Sequence, residues 1–163
     1  MATEKQLKII RVTHLDDSQK TALADLWNGE YPEQLKFENP LAFKDYLSGL
    51  TDAVHYLQLD IGQQIVGWAF KFLRGNDTWF GIILNSKIHQ QGFGKLLIEH
   101  LKTGEKNLYG WAVDHDHYYK ANSEPYRSPL KFYLKNGFTV DGNQRLKSEV
   151  LSAVMIHWSV TPD

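Results

Sequence analysis

The strongest structural signal in the sequence is the stretch HQQGFGK at residues 89–95, where a loop with two glycines runs directly into a helix. The first N–H groups of a helix have no intrahelical partner, and they attract anions. Gly92 and Gly94 lack a Cβ, so the backbone can approach a bulky ligand closely. The stretch therefore predicts a phosphate-bearing ligand at the start of a helix. Apolar residues at helical spacing predict the buried face of that helix: Phe93, Leu96, Leu97 and Leu101.

Two common nucleotide-binding fingerprints do not fit this loop. A P-loop requires Ser or Thr after its lysine and a glycine at an earlier position, but Leu96 and His89 stand there. A dinucleotide-binding loop that begins at Gly92 requires Gly or Ala where Leu97 stands. The loop needs a different explanation.

A second motif, FYLKNGF at residues 132–138, supplies that explanation. Together the two motifs resemble the GNAT superfamily of acyl-coenzyme A (CoA) dependent N-acyltransferases. Its first motif is Arg or Gln, two residues, Gly, one residue, and Gly or Ala; its second is an aromatic residue and Tyr, three residues, and Gly-Phe. Both occur here in the family's order, with His89 in place of Arg or Gln.

Composition and length predict one soluble domain over residues 1–163. The formal net charge is −1 with both signs interspersed, which argues against a nucleic-acid partner. No apolar run approaches the roughly 20 residues that span a bilayer, and the first residues lack a secretory pattern. We therefore expect a cytoplasmic protein without a membrane partner. Because the chain has no cysteine, it offers no disulfide, thiolate nucleophile or thiolate metal ligand.

Hydrophobic periodicity predicts an α+β order of elements. Strands are predicted at residues 9–14, 55–60, 65–73, 78–84, 108–113, 138–140 and 150–160. Helices are predicted at residues 19–27, 41–50, 93–102 and 129–136. Asn28-Gly29 is expected to end the first helix, Ser128-Pro129 to cap and begin the last, and residues 141–143 to form the final turn.

The resemblance implies the GNAT fold, a mixed, mostly antiparallel curved sheet of about seven strands with helices on both faces. In that fold the strands at 78–84 and 108–113 splay apart, and the pantetheine arm of acetyl-CoA lies between them. We expect Gly81 to form a β-bulge beside this opening.

The same resemblance places the cofactor pyrophosphate on backbone N–H groups of residues 91–95. It also assigns the N–H of Leu84 to the thioester carbonyl, as an oxyanion hole. The side chain of His89 is either a phosphate contact or an exposed loop histidine. The residues expected around the cofactor are Ile82, Leu84, His89, Gln90, Gln91, Gly92, Phe93, Gly94, Lys95 and Tyr133.

Tyr133 lies with Leu130 and Leu134 on one face of its predicted helix, which by spacing alone indicates a core tyrosine. In the family the tyrosine of this motif protonates the departing CoA thiolate. A phenol with a pKa of about 10 suits that role, because it keeps its proton at neutral pH. We expect Tyr133 to be the general acid.

The acceptor amine needs a base, and no carboxylate or histidine lies between residues 79 and 84. The cluster of residues 114–117, DHDH, offers Asp114 and His115 as candidates. The cluster is also consistent with a solvated polar loop or, less well, with a metal site, since adjacent strand residues point to opposite faces. We predict no metal.

The resemblance places the acceptor pocket at the first two helices and the late loops. Mixed aromatic and acidic residues there suit a small amine with an apolar body, although the same residues fit an ordinary core and its rim. The candidates are Trp27, Glu30, Tyr31, Phe37, Tyr118 and Tyr126. Residues 114–127 form an insertion relative to the family, so the acceptor side departs most from it.

These observations predict an N-acetyltransferase that moves an acetyl group from acetyl-CoA to a primary amine of a small molecule or peptide by direct attack. The alternatives are a non-catalytic acyl-CoA-binding module and a metal-dependent hydrolase built on residues 114–117. The expected assembly is a monomer or homodimer.

Overall fold

The computed structural model describes residues 7–160. Its strands are β1 (Lys8–Val12), β2 (Thr51–Leu59), β3 (Ile65–Arg74), β4 (Asp77–Leu84), β5 (Asn107–Ala112), β6 (Thr139–Lys147) and β7 (Ser152–Ser159). Its helices are α1 (Asp17–Glu30), α2 (Pro40–Ser48), α3 (Phe93–Lys102) and α4 (Leu130–Lys135). Short 3₁₀ turns lie at Glu33–Leu35, after α1, and at Ser86–Ile88, after β4. No helix in this described part is long and apolar enough to cross a membrane.

The seven described strands form one sheet in the order β1-β2-β3-β4-β5-β7-β6. Every neighbouring pair is antiparallel except β4 and β5, which are parallel. The parallel pair follows from the α3 crossover, because two parallel strands need a long connection. The predicted mixed, mostly antiparallel sheet is confirmed.

Helices cover both faces of the sheet, as predicted. On one face α1 and α2 pack Leu23, Trp27 and Phe43 against β2 and β3. On the other face α3 and α4 pack Leu97 and Tyr133 against the central strands. The central strands β3 and β4 therefore contribute side chains to both cores.

Helix α1 begins as predicted but ends later than predicted. Its N-cap Asp16 accepts from the Gln19 N–H at 2.7 Å, and the Gln19 side chain accepts from the Asp16 N–H, which together form a capping box. The expected stop at Asn28-Gly29 is wrong, because the helix continues to Glu30. The Asn28 side chain instead bonds both backbone groups of Phe37, so its polar atoms hold the following loop.

The final hairpin corrects a second prediction. The expected turn at residues 141–143 lies inside β6, where it appears as a register shift between Asp141 and Arg145 in the pairing with β7. The reversal occurs at residues 148–151, where the Ser148 hydroxyl accepts from the Val150 and Leu151 N–H groups. Residues 141–143 are turn formers, but β6 pairs with β7 again beyond them. They therefore form an irregularity within the strand and do not reverse the chain.

Two local predictions also change in detail. The β-bulge expected at Gly81 is wrong, since β3 and β4 pair without a register shift and Gly81 lies opposite Phe70. Helix α4 begins at Leu130, one residue later than expected. The expected cap is therefore shifted, because Pro129 is the N-cap residue and has no side-chain cap bond. Ser128 lies one residue earlier, where its hydroxyl accepts from the Leu130 N–H and donates to the Val113 carbonyl.

Candidate active site

The parallel strands β4 and β5 are joined at a single register position, Trp79 opposite Tyr109. Beyond it both strands continue toward Leu84 and Ala112 without pairing to each other. This is the opening that the GNAT resemblance implied. The gap lies in the plane of the sheet, whose two faces are covered by different pairs of helices.

Backbone N–H groups of β4 face this opening. The N–H of Asn85 donates to the Val66 carbonyl at 2.8 Å, so it points toward β3. Because N–H directions alternate along an antiparallel strand, those of Ile82 and Leu84 point the other way, toward β5. The pairing with β5 stops before it reaches them. These two N–H groups therefore have no ladder partner on β5 within the described residues.

The glycine-rich loop presents a second set of backbone donors. Gly92, the N-cap of α3, is left-handed with φ of 85°, and Gln90 has φ of 61°. Within residues 7–160 the N–H groups of Gln90, Gln91 and Gly92 have no acceptor. The first-turn N–H groups of α3, from Phe93 to Lys95, lack intrahelical partners by the geometry of a helix. The loop and the start of α3 thus present a run of backbone N–H groups with no acceptor among residues 7–160, as the sequence predicted for this helix start.

The side chains of this loop hold it in place. His89 Nε2 lies 2.9 Å from the Leu84 carbonyl oxygen and closes the turn between β4 and the loop. Gln91 Nε2 donates to the Lys87 carbonyl at 3.3 Å. Gly94 is buried against the Phe132 ring, 3.0 Å from where a Cβ would stand. Lys95 is exposed.

Tyr133 is almost fully buried between the rings of Phe80, Phe132 and Phe138. Burial raises the pKa of its hydroxyl, and the nearby Tyr126 raises it further. No residue among 7–160 hydrogen-bonds to this hydroxyl. The raised pKa keeps this hydroxyl protonated at neutral pH.

Tyr31 and Tyr126 lie near Tyr133. The Tyr31 hydroxyl donates to the Ile82 carbonyl at 3.4 Å, at the edge of the opening. Burial raises the pKa of Tyr31, with smaller contributions from Tyr133 and Tyr126. Burial also raises the pKa of Tyr126. Three neutral phenols thus lie near one another: Tyr31 at the C-cap of α1, Tyr133 of α4 and Tyr126 of the long loop after β5.

Glu30 ties the end of α1 to the segment that follows β4. One carboxylate oxygen accepts from the Ser86 N–H at 3.0 Å, and the other lies 3.4 Å from Lys120 Nζ. Lys120 is only 7% exposed and also pairs with Glu124. The sequence analysis missed Lys120, because a lysine inside a polar insertion carries no periodic signal.

The insertion at residues 114–127 is attached to the rest of the molecule. The Tyr119 carbonyl accepts from the Glu33 N–H at 2.8 Å, next to α1. The Tyr118 hydroxyl accepts from the Ser152 N–H at 2.8 Å, at the start of β7. The insertion therefore bridges α1 and β7 across the end of the opening.

The two predicted bases are both engaged. Asp114 accepts two hydrogen bonds from Arg145 at 2.9 Å each, and this contact lowers the pKa of the carboxyl. His115 Nδ1 accepts from the His117 N–H at 3.1 Å, and the His115 ring packs edge-on against Tyr118. Arg145 was also missed from sequence, because its contact with Asp114 depends on the unexpected length of β6.

Other expected residues lie farther from the opening. Trp27 is buried in the α1 core and donates from Nε1 to the Leu35 carbonyl at 2.9 Å. Phe37 packs against the Trp27 ring, with centroids 5.1 Å apart.

A cleft of about 500 Å³ between α1 and the β2–β3 turn includes Glu30 and Asn85 in its lining. This cleft lies on the β1 side of α1, where Ile10 lines it, and neither Ile82 nor Leu84 is part of its lining.

Several side-chain atoms at residues 114–117 have protein partners: Asp114 accepts from Arg145, His115 from the His117 N–H, and Asp116 from the Ser128 N–H. Across residues 7–160, no three His, Asp or Glu side chains come together as metal ligands would. Both oxygens of Asp114 and Nδ1 of His115 already have partners.

Solved structures with the same fold are N-acyltransferases. An acetyltransferase of the GNAT family from Staphylococcus aureus Mu50 matches with a TM-score of 0.68 and 16% identity, over 96% of this chain and 100% of that one. An acyl-CoA N-acyltransferase from Pseudomonas aeruginosa matches with a TM-score of 0.65 and 17% identity, over 94% and 100%. The ribosomal-protein-S18-alanine N-acetyltransferase from Escherichia coli matches with 0.62 and 15%, over 97% and 96%. No protein-family model and no curated protein matches the sequence.

The chain therefore has the GNAT fold, and the resemblance drawn from its two motifs is confirmed at the level of the fold. The opening between β4 and β5 and the loop at the start of α3 stand where that resemblance implied them.

Proposed function

We propose that this protein is an acetyl-CoA dependent N-acetyltransferase that acts on a primary amine by direct attack. The observation that carries the proposal is that β4 pairs with β5 only at Trp79 and Tyr109, which leaves the N–H groups of Ile82 and Leu84 on the β5 side, and that the loop at residues 90–92 and the first turn of α3 follow shortly after β4. Two such sets of N–H donors suit a ligand that carries both a carbonyl and a phosphate. Acetyl-CoA, when bound, supplies the activated thioester.

In this proposal each group has one task. The loop N–H groups bind pyrophosphate, and those of Leu84 and Ile82 hold the carbonyl oxygen where negative charge develops. Tyr133 donates its proton to the departing sulfur, because burial keeps its hydroxyl neutral and no described residue competes for it. Tyr118, Tyr126 and Tyr31 line the acceptor side together with Glu30.

The acceptor amine binds near Glu30, whose carboxylate is held at the end of β4 by the Ser86 N–H. Of the predicted bases, we retain His115, since it gives up only one loop hydrogen bond to accept a proton. Asp114 would have to break its two-bond contact with Arg145. Trp27 contributes as a buried support for Tyr31, with ring centroids 4.6 Å apart.

The remaining expectations belong to the same proposal. They are one domain over residues 1–163, a cytoplasmic site of action, a small-molecule or peptide acceptor, and a monomer or homodimer. Light scattering of the purified protein measures the last directly.

The test combines binding and turnover. Acetyl-CoA at 100 times its dissociation constant should stabilise the protein by about 2.7 kcal/mol in a thermal-shift assay. A panel of amines should then identify acceptors by release of free CoA thiol. Stabilisation without thiol release on any amine would indicate a binding module, and the absence of stabilisation would refute the proposal.

A further inference from the structure

Gln58, on β2, is a fully buried amide that the proposed chemistry leaves unused. Its Nε2 donates to the Phe93 carbonyl at 3.5 Å, which is a long hydrogen bond. Its Oε1 has no partner among residues 7–160. A buried amide with one weak bond costs free energy compared with an apolar side chain of the same size. The stability of the fold therefore does not explain Gln58.

The neighbouring strand is built around this side chain. Gly67 on β3 lies directly opposite Gln58, and a Cβ on Gly67 would stand 2.6 Å from Gln58 Oε1. The same Cβ would stand 3.2 Å from Leu84 Cδ1. Gly67 is in turn opposite Leu84 on β4. A glycine thus makes room for the amide, directly beside the strand that carries the proposed carbonyl-binding N–H.

Gln58 contacts the Phe93 carbonyl, which is the first carbonyl of α3 and directly follows the glycine-rich loop. The Phe93 carbonyl and the Gly94 N–H belong to one planar trans peptide unit, so they point in opposite directions. The helix bond from the Leu97 N–H already holds the Phe93 carbonyl, and Gln58 adds a second donor that tightens the direction of the Gly94 N–H, one of the first-turn donors of α3. Gln58 reaches this peptide unit from the buried side, where no ligand can compete with it.

We propose that Gln58 is a positioning residue for the phosphate-binding loop. It orients the Phe93–Gly94 peptide unit so that the Gly94 N–H faces the pyrophosphate, and Gly67 provides the space that this requires. The inference rests on the proposed function, and it adds a part of the cofactor site that lies beneath the loop and touches no ligand.

The test is Gln58→Met, which keeps the approximate size and flexibility of the side chain but removes its hydrogen bonds. We expect the dissociation constant for CoA, measured by calorimetry, to rise by about tenfold. The midpoint of thermal unfolding should stay the same or rise, because an incompletely bonded buried amide is removed. Binding of pantetheine, which has no pyrophosphate, should not change. Gln144→Met, at an exposed position of β6, is the matched control.

Opposite changes in stability and CoA affinity are the signature of a positioning role. Unchanged CoA affinity in Gln58→Met would overturn the inference. So would a fall in the unfolding midpoint with an equal loss of CoA and pantetheine binding, since that pattern means general damage. Should Gln58→Met not fold, Gln58→Leu repeats the test, and failure of both to fold would make Gln58 a structural residue. A wild-type protein that binds no CoA would refute the proposed function itself and this role with it.

Discussion

Phe70 lies opposite Gly81 in the β3–β4 pair, and its ring occupies the space that a side chain at position 81 would need. The nearest ring atom is 2.6 Å from where a Cβ would stand. The Phe70 ring in turn stacks on Trp68, with centroids 4.4 Å apart, and on Phe72 at 6.0 Å. The glycine beside the proposed site therefore serves the aromatic core rather than a bulge.

Gly81→Ala should destabilise the protein by about 1 to 3 kcal/mol, because the added methyl group overpacks a buried ring. Urea unfolding measures the change. Gly142→Ala is the control, since nothing lies within 4 Å of its Cβ position, and its effect should stay within about 0.5 kcal/mol. Equal stability of the two variants would show that Phe70 has room to move.

Tyr133→Phe should lower turnover by roughly 10² or more while the protein stays folded. The hydroxyl has no partner among the described residues, so its removal should cost little stability. Tyr109→Phe, on β5 and stacked on His157, is the control. Thiol release measures the rate, and calorimetry should show nearly unchanged CoA affinity. Wild-type turnover in the variant would reduce Tyr133 to a core residue.

Gln91→Glu tests the anion site with a change of charge at nearly constant shape. Gln91 is exposed in the loop, whereas Gly94 is packed against Phe132, so substitution at 91 avoids a packing effect. We expect CoA affinity to fall by roughly tenfold, since the variant places a negative charge on the loop proposed to bind the pyrophosphate and loses the side-chain bond to the Lys87 carbonyl. Asn76→Asp makes the same chemical change in the exposed β3–β4 turn. Equal CoA affinity in both variants would place the phosphates elsewhere.

Glu30→Gln should raise KM for the amine by about tenfold or more, with CoA affinity unchanged. The glutamine oxygen can still accept from the Ser86 N–H, so α1 should remain attached to β4. Glu33→Gln, exposed in the neighbouring 3₁₀ turn, is the control. An unchanged amine KM would limit Glu30 to its contacts with Ser86 and Lys120.

His55 should make stability depend on pH in the acid range. Its Nδ1 accepts from Trp68 Nε1 at 3.1 Å, and burial lowers the pKa of His55 to about 4. Between pH 6.5 and 4 the unfolded chain binds a proton that the folded protein does not. This contribution to stability is therefore complete above pH 6.5, and about 3 kcal/mol of it is lost as the pH falls to 4.

Urea unfolding at a series of pH values measures this loss. His55→Asn keeps an acceptor near the Nδ1 position but does not titrate. Its free energy of unfolding should be lower at pH 7 and should fall less between pH 6.5 and 4. An equally steep fall in the variant would assign the acid sensitivity to other groups.

The sequence by itself determined the elements whose signals are local. The amphipathic spacing and two glycines predicted α3 and its loop, and the structure places α3 at Phe93–Lys102 with a left-handed Gly92 before it. The order of strands and helices predicted the mixed sheet, because periodicity reports which face of an element is buried. The two motifs were enough to predict the GNAT fold.

The tertiary structure alone decided the features that depend on distant partners. β6 runs through Asp141-Gly142-Asn143 because β7 pairs with it again beyond the irregularity. The Ile82 and Leu84 N–H groups are unpaired because β5 pairs with β4 only at Trp79 and Tyr109. Gln58 reaches the Phe93 carbonyl from 35 positions away along the chain. The conformational preference of a short segment cannot encode such contacts. The free energy of a hydrogen bond between strands, or of a buried amide, depends on the partner group that another part of the chain supplies.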